Sequence, residues 1–551
     1  MKKSILAVTV VLAAIAPPST VFAQNIDKAI DAYKAKDYAE AAVRFFEVLR
    51  FDTAEGNVVE AEYGMAQSLL KLELPLPAIR YFENIIGAGP THPYYLKAFE
   101  GMLEAGEMLD DDLIVPAILD KKYSSALSKL TPDVLQRVHY MLGERLFKLQ
   151  KRGESLEFLK TVKIENSAYP KAQYLIGMLF LGTSAGGRAD YEKAIEAFEN
   201  VRKAITLASA DPPRRNLREL ATLALARSYY EMGAQYPTED EKDPTKPNGE
   251  KQRLLRKSID LYQEIPRFSP NWGEAMYERA WAHTVVPVAG KNAKGEPIVS
   301  QEFGKALGAL HTIHAPYFAS GYWPESYILQ SIVYYYNCHF DRVYKTLKTI
   351  NDEYEPLNKV LERIVKRPGV GDDEWYQLMA DSLKAQKTTQ EMINAGDNDL
   401  LLPSRIANYL AQDPQWTKLR YFMGRIADQE QRRSETKALS GGEVGNEIKM
   451  LLDTYAKQYR AVAGRWVHRQ ISDTQSFLQS YINRAVVVKL ETEDAEKQWL
   501  EMGRSIDKGP RPRLPRPYIP SDQYQYFAFN QEYWADELGY YEYSIRTECY
   551  E

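Results

Sequence analysis

Small and bulky apolar residues recur at a helical spacing along the first two thirds of the chain. A small residue is followed twelve positions later by a second small residue, and a bulky one stands four further on. Ala66, Ala78 and Phe82 show it, with Pro90 closing the unit, and Gly143, Ser155 and Leu159 repeat it. Ser331, Val343 and Leu347 repeat it more loosely, and Ala29, Ala41 and Phe45 make a first copy. Three more copies fit with inserted residues: Gly177, Ala194 and Phe198, then Ala226, Ser258 and Tyr262, then Ala280, Ala306 and Leu310. Residues four apart share a helix face, and two helices cross closely only where each offers a small residue. The spacing therefore predicts antiparallel helix pairs, with the bulky residue filling the gap one turn on. The inserts at 235–251 and 287–300 are rich in Pro, Gly and polar residues, which predicts surface loops.

From about residue 352 the pattern fades. Helices are expected over 374–386 and 406–428. The stretch 443–503 has no Pro and only Gly445 and Gly464 inside it, so as a helix it spans about 90 Å at 1.5 Å per residue. Ser440-Gly441-Gly442 is a natural turn, and 415–503 reads as a long antiparallel helical hairpin. Lys508-Gly509-Pro510-Arg511-Pro512-Arg513-Leu514-Pro515-Arg516-Pro517 reads as an extended linker. The last 30 residues hold ten aromatics, too many for a solvated disordered end.

Composition narrows the class. Of 551 residues, 45% are apolar and 26% charged, an ordinary globular balance. Met1-Lys2-Lys3, the apolar run from Ile5 to Ala16 and Val21-Phe22-Ala23 have the order of a secretory signal peptide cut after Ala23. The alternative is an amphipathic first helix, which Pro17-Pro18 would break. Without Lys2 and Lys3 the chain carries 68 basic against 75 acidic residues, which gives no support to a nucleic-acid partner. After residue 24 no apolar stretch approaches the ~20 residues of a membrane span. The expected address is a bacterial periplasm. The expected architecture is all-α: signal peptide over 1–23, helical solenoid over 24–355, helical region with the long αα-hairpin over 356–503, Pro/Arg-rich linker over 504–521, and an aromatic tail over 522–551 docking back on the solenoid.

The repeat, best matched over 62–90, 136–162 and 258–270, resembles the tetratricopeptide repeat, a helix–turn–helix unit of 34 residues that stacks into a superhelix. The step from Gly143 to Gly177 has that length. The segments Ala315-Pro316-Tyr317-Phe318, Trp323-Pro324-Glu325-Ser326-Tyr327 and Cys338-His339-Phe340-Asp341, with the ending around Tyr533-Trp534 and Tyr540-Tyr541, resemble exported deltaproteobacterial repeat proteins. Some of that group are linked to gliding-motility and envelope machinery. The resemblance implies a scaffold whose first helices line a concave groove for peptides.

Motifs with a catalytic look have simpler explanations. Gly182-Thr183-Ser184-Ala185-Gly186 matches a nucleophile elbow, but it lies between two expected helices instead of after a strand. Leu439-Ser440-Gly441-Gly442-Glu443 resembles a transport-ATPase signature, yet no phosphate-binding G-x-x-x-x-G-K-[ST] loop accompanies it. His311 and His314 share a helix face without the Cys or acidic partners of a metal site. Asp110-Asp111-Asp112 reads as a solvated turn or helix start. No catalytic residue, metal set or cofactor is assigned.

Tyrosine is abundant, at 38 residues. Tyr63, Tyr95, Tyr140, Tyr174 and Tyr277 each stand three positions before a small residue, on the first helix of a repeat. They are candidates for a partner-binding groove, or else for packing between adjacent repeats. Cys338 and Cys549 are the two cysteines, and an oxidising compartment lets them pair; two reduced thiols are the alternative. The functional expectation is a non-catalytic periplasmic scaffold that binds envelope proteins. The alternative is a binding protein or enzyme acting on cell-wall glycan or peptide through a Tyr-rich surface. Self-association through the hairpin stays open.

Overall fold

Each small–bulky repeat folds as two helices, joined by a three-residue turn in the copies without inserts and by the longer segments 235–248 and 286–302 in two of those with them. The computed structural model describes residues 19–122, 125–182, 188–206, 211–291, 295–318, 321–396, 401–503 and 529–549. Most of the expected signal, residues 183–186 of the elbow-like motif, the linker over 504–521 and the start of the tail lie outside them. The paired helices are α1 (Ser19–Lys34) with α2 (Tyr38–Phe51), α3 (Glu55–Lys71) with α4 (Pro75–Ala88), α5 (Tyr95–Leu109) with α6 (Ile114–Lys122), and α7 (Pro132–Lys148) with α8 (Arg152–Leu159). They continue as α9 (Tyr169–Leu181) with α10 (Arg188–Ala204), α11 (Pro212–Ala234) with α12 (Gly249–Gln263), α13 (Trp272–Val285) with α14 (Phe303–Ile313), and α15 (Pro324–Tyr336) with α16 (Phe340–Thr349). Then follow α17 (Glu355–Val365), α18 (Asp372–Ala385), α19 (Thr389–Ala395), α20 (Ser404–Ala411), α21 (Pro414–Glu435) and α22 (Gly442–Glu501). The fold is all-α apart from one β-hairpin and an isolated bridge between Glu239 and Pro247, among the described residues.

Three expectations are corrected. The single helix over 406–428 is two helices, because Pro414 has no N–H to continue α20 and instead opens α21. The insert at 287–300, expected as a surface loop, carries a β-hairpin: β1 (Pro287–Lys291) and β2 (Pro297–Gln301) pair antiparallel, with Pro287 opposite Gln301. Asp111 stands at a helix start, one of the two readings, but it is buried instead of solvated. Its carboxylate accepts from the backbone N–H groups of Leu113, Ile114 and Val115 at 3.1, 2.9 and 2.6 Å, capping α6. Burial raises its pKa, against those backbone hydrogen bonds.

The chain divides into two units, Met1–Val138 with Arg420–Gln458, and His139–Leu419 with Tyr459–Glu551. The three borders fall within α7, α21 and α22, so each of these helices contributes residues to both units.

In the first unit, Phe45 of α2 lies on Gly64 of α3, and Phe82 of α4 lies on Gly101 of α5, so close that a Cβ at either glycine would meet the ring. The bulky residue thus fills the gap to the next pair. Helix α4 has no side-chain cap of its own; Gln429 of α21 accepts from the Leu76 N–H at 3.0 Å and satisfies one of its orphan donors. Tyr81 donates to Glu447 of α22 at 2.9 Å. Arg433 closes the hairpin turn by donating to the Leu439 carbonyl at 2.9 Å, and Gly442 supplies the left-handed φ of +72°.

In the second unit, Leu159 packs on Gly143 and Phe198 on Gly177 within their own pairs. Ser155 donates to the Gly143 carbonyl at 2.7 Å, a hydrogen bond that only two closely crossing helices permit. One apolar core runs from α10 to α15 and takes in Leu538 of the tail. Another joins α15–α20 to Val467, Ile471, Leu478, Ala485 and Val488 of α22. Trp416 of α21 stacks on Trp466 of α22 at 5.9 Å between ring centroids, as the two arms of a hairpin should. No helix of the described residues is long and apolar enough to cross a membrane.

Candidate functional site

Residues 529–549 of the tail lie in a channel floored by α14, inside the second unit. Helix α14 reads Phe303-Gly304-x-x-x-Gly308-x-x-x-Thr312 along one face, so its side chains leave the backbone bare for two turns. A Cβ at Gly308 would fall on the Tyr541 carbonyl, and one at Gly304 on the Tyr543 carbonyl. Four helical residues advance about 6.0 Å and two extended residues about 6.6 Å, so an extended chain running antiparallel to the helix keeps step with it. Gly539, Tyr541 and Tyr543 therefore meet Thr312, Gly308 and Gly304 in turn.

Main-chain hydrogen bonds hold this register. The Gly539 N–H donates to Thr312 Oγ1, and Arg279 Nη2 donates to the Gly539 carbonyl, both at 3.0 Å. The Tyr543 N–H donates to the Gly304 carbonyl and the Glu548 N–H to the Asn337 carbonyl, again at 3.0 Å. At the far end, His339 Nε2 donates to the Arg546 carbonyl at 2.8 Å, and its Nδ1 lies 3.2 Å from the Glu548 carboxylate. Gly539 has φ +90°, and a Cβ there would stand 3.2 Å from the Trp272 ring, so the position suits glycine on both counts. Leu538 beside it is fully buried.

Burial then alternates along the extended segment. Tyr541, Tyr543, Ile545 and Thr547 are half-buried against the helices, while Glu542, Ser544 and Arg546 face solvent. His311 packs against Phe529, Tyr533 and Tyr541 at 4.7–5.0 Å between ring centroids, and Tyr543 Oη lies 3.1 Å from its Nδ1. Burial holds its imidazole below the usual histidine pKa. The pair His311 and His314 is thus part of an aromatic contact and of the helix end, and no cluster of His, Cys, Asp or Glu with metal-binding geometry occurs among the described residues.

A partly buried ion cluster sets the start of α14. Arg256 donates to both oxygens of Glu302 at 2.7 and 2.9 Å, and Lys305 and His283 reach it at 2.9 Å. Burial alone would raise the Glu302 pKa, but these partners outweigh it and hold the carboxyl far below its usual range. His283 is held low by burial against the pull of Glu302.

The two cysteines meet where the channel ends. Cys338 sits in the α15–α16 turn at φ +57°, and it is disulfide-bonded to Cys549, with Cα atoms 5.2 Å apart. The five tyrosines are divided between the two units. Tyr63 and Tyr95 belong to the first unit, where Tyr63 stacks on Tyr94 at 4.4 Å and Tyr95 is buried edge-on to Phe99. In the second unit Tyr140 packs against the cluster of Leu159 and Ala172, and Tyr174 leans on Phe198 at 5.8 Å. Tyr277 accepts from Trp281 Nε1 at 2.7 Å. Burial raises the pKa of Tyr63, Tyr174 and Tyr277.

No family model matches the chain, and no curated protein matches it in sequence.

Sequence reasoning passed over the residues that build the channel. Gly304, Gly308 and Thr312 at intervals of four were the signal for a bare helix face. Tyr541, Tyr543 and Ile545 at intervals of two were the signal for a half-buried extended segment.

Proposed function

We propose that the chain is a non-catalytic scaffold of the bacterial periplasm, one that holds envelope proteins on stacked helix pairs of the tetratricopeptide type. The observation that carries this reading is the α14 channel, which grips an extended polypeptide by its main chain. The paired helices and their glycine–aromatic contacts support it, since such arrays present long surfaces for other chains. The lysine-led apolar run before Ala23 supports export. A place in an envelope or motility complex is the narrower form, and it rests on the resemblance of the segments around Trp323 and Tyr533.

In-cell crosslinking followed by mass spectrometry tests the reading. The exported protein should carry crosslinks to envelope proteins, and its N-terminus should begin at Gln24. A protein that stays in the cytoplasm, or that crosslinks to no envelope protein, would remove it.

A further inference from the structure

We propose that the α14 channel is a peptide-binding site whose resident tail is a displaceable plug, locked by the Cys338–Cys549 disulfide. Its exchange partner is an extended polypeptide segment with a small residue in the place of Gly539 and aromatic or β-branched residues at alternate positions after it. The inference rests on the scaffold reading, because it names what one surface of that scaffold accepts.

The register-setting contacts are to the main chain, while Tyr543 Oη on His311 and the Glu548 carboxylate beside His339 are contacts of side chains. Gly539 uses its N–H and carbonyl, Tyr543 and Glu548 use their N–H groups, and Arg546 uses its carbonyl. Another extended segment offers the same groups, so these contacts do not distinguish the tail from a visitor. Selection falls on side chains. The bare floor at Gly304 and Gly308 admits only a closely lying extended backbone, and His311 offers a face for rings at the inward positions.

The disulfide decides which segment wins. While it is closed, the tail is tethered at the channel end and competes at the effective concentration of a short tether, in the millimolar range. A dithiol reductant opens it in balanced steps. One thiolate attacks a sulfur of the bridge and forms a mixed disulfide, and the other cysteine leaves as a thiolate that takes up a proton. The second thiol of the reductant then displaces the first cysteine as a thiol, so the reductant ends as a disulfide and two electrons have passed to Cys338 and Cys549. Both cysteines are only half-buried, which leaves the bond open to attack. The tail is then tethered only through the chain before it, a longer tether with a lower effective concentration, against which a partner segment competes.

The test uses the full chain and a fluorescein-labelled synthetic peptide of residues 529–549 carrying Cys549→Ser. Fluorescence anisotropy should show at least tenfold tighter peptide binding to the dithiothreitol-reduced protein, and to the Cys338→Ser/Cys549→Ser variant, than to the oxidised protein. Gly308→Val in the reduced protein should abolish it. Hydrogen exchange at the Gly539 and Tyr543 amides should rise at least tenfold on reduction, with helical circular dichroism unchanged. Equal peptide binding with the bond closed would overturn the proposal, and so would unchanged amide protection after reduction. Loss of helical structure on reduction would also overturn it, making the tail a structural clasp. Peptide exchange in a protein that captures no envelope partner would leave this inference standing and remove the scaffold reading.

Discussion

Replacing His314 by Phe isolates one pH effect that the second unit offers for measurement. His314 caps α14, with its ring stacked on Tyr327 at 4.1 Å. Its Nε2–H donates to Ser326 Oγ at 2.7 Å, because the Ser326 hydroxyl spends its own proton on the Trp323 carbonyl at 2.6 Å. Burial, with a smaller push from His311, lowers its pKa to about 3. The unfolded value is about 6.5, so the folded state binds fewer protons between the two values. The stabilisation is therefore present above pH 6.5 and is lost as pH falls from there toward 3. At pH 5 the unfolded ring is about 1.5 units below its pKa while the folded ring is still neutral, which is about 1.5 × 1.36, or ~2 kcal/mol. This figure depends on the unfolded pKa and hardly on the folded one. Phe keeps a ring against Tyr327 and does not titrate, and His311 is present in both proteins. Urea unfolding at pH 7.5 and 5.0 should show the wild type losing about 2 kcal/mol more than His314→Phe on acidification. Equal losses, within about 0.5 kcal/mol, would mean that the folded ring takes up its proton near pH 6 and would refute the reasoning.

Gly177→Ala places a Cβ 2.5 Å from the Phe198 ring, and thermal melting should show the loss of about 1–3 kcal/mol that overpacking brings. Tyr174→Ala should cost about 3 kcal/mol, since the ring leans on Phe198 in the core; weakened partner capture at unchanged stability would instead make it a groove residue. Cys338→Ser with Cys549→Ser opens a loop of 211 residues, and chain entropy sets the expected destabilisation at ~4–5 kcal/mol. Non-reducing peptide mapping of the wild type supplies the control, with the two cysteine peptides joined.

The paired helices were legible because their cause is local. Residues four apart share a face, so the spacing from Ala78 to Phe82 marks a packing stripe in any fold that uses it. What the bulky residue touches was not legible. Phe82 lies on Gly101 and Phe45 on Gly64, each in the next pair, whereas Phe198 and Leu159 lie on glycines of their own pair. Phe82 and Phe198 are the same residue type, so the choice lies in how the helices cross, which spacing does not encode.

The same division runs through the site. Ten aromatics in the last 30 residues, with a cysteine at 549, pointed to a tail with apolar surface to bury. Only the tertiary structure decided where it lies, because its register comes from matching a helical rise of 6.0 Å to an extended rise of about 6.6 Å across more than 200 residues of sequence. The Leu76 N–H finds its acceptor in Gln429 at a separation of 353 residues, and no local pattern announces that. The sequence by itself determined the helix pairs and the hairpin turn at Gly442, each set by neighbours within a few residues; the alternation after Gly539 is equally local but was passed over. The tertiary structure decided which faces meet, since closing contacts over hundreds of residues depends on the complementary shapes of glycine-bare backbones and the segments that lie on them.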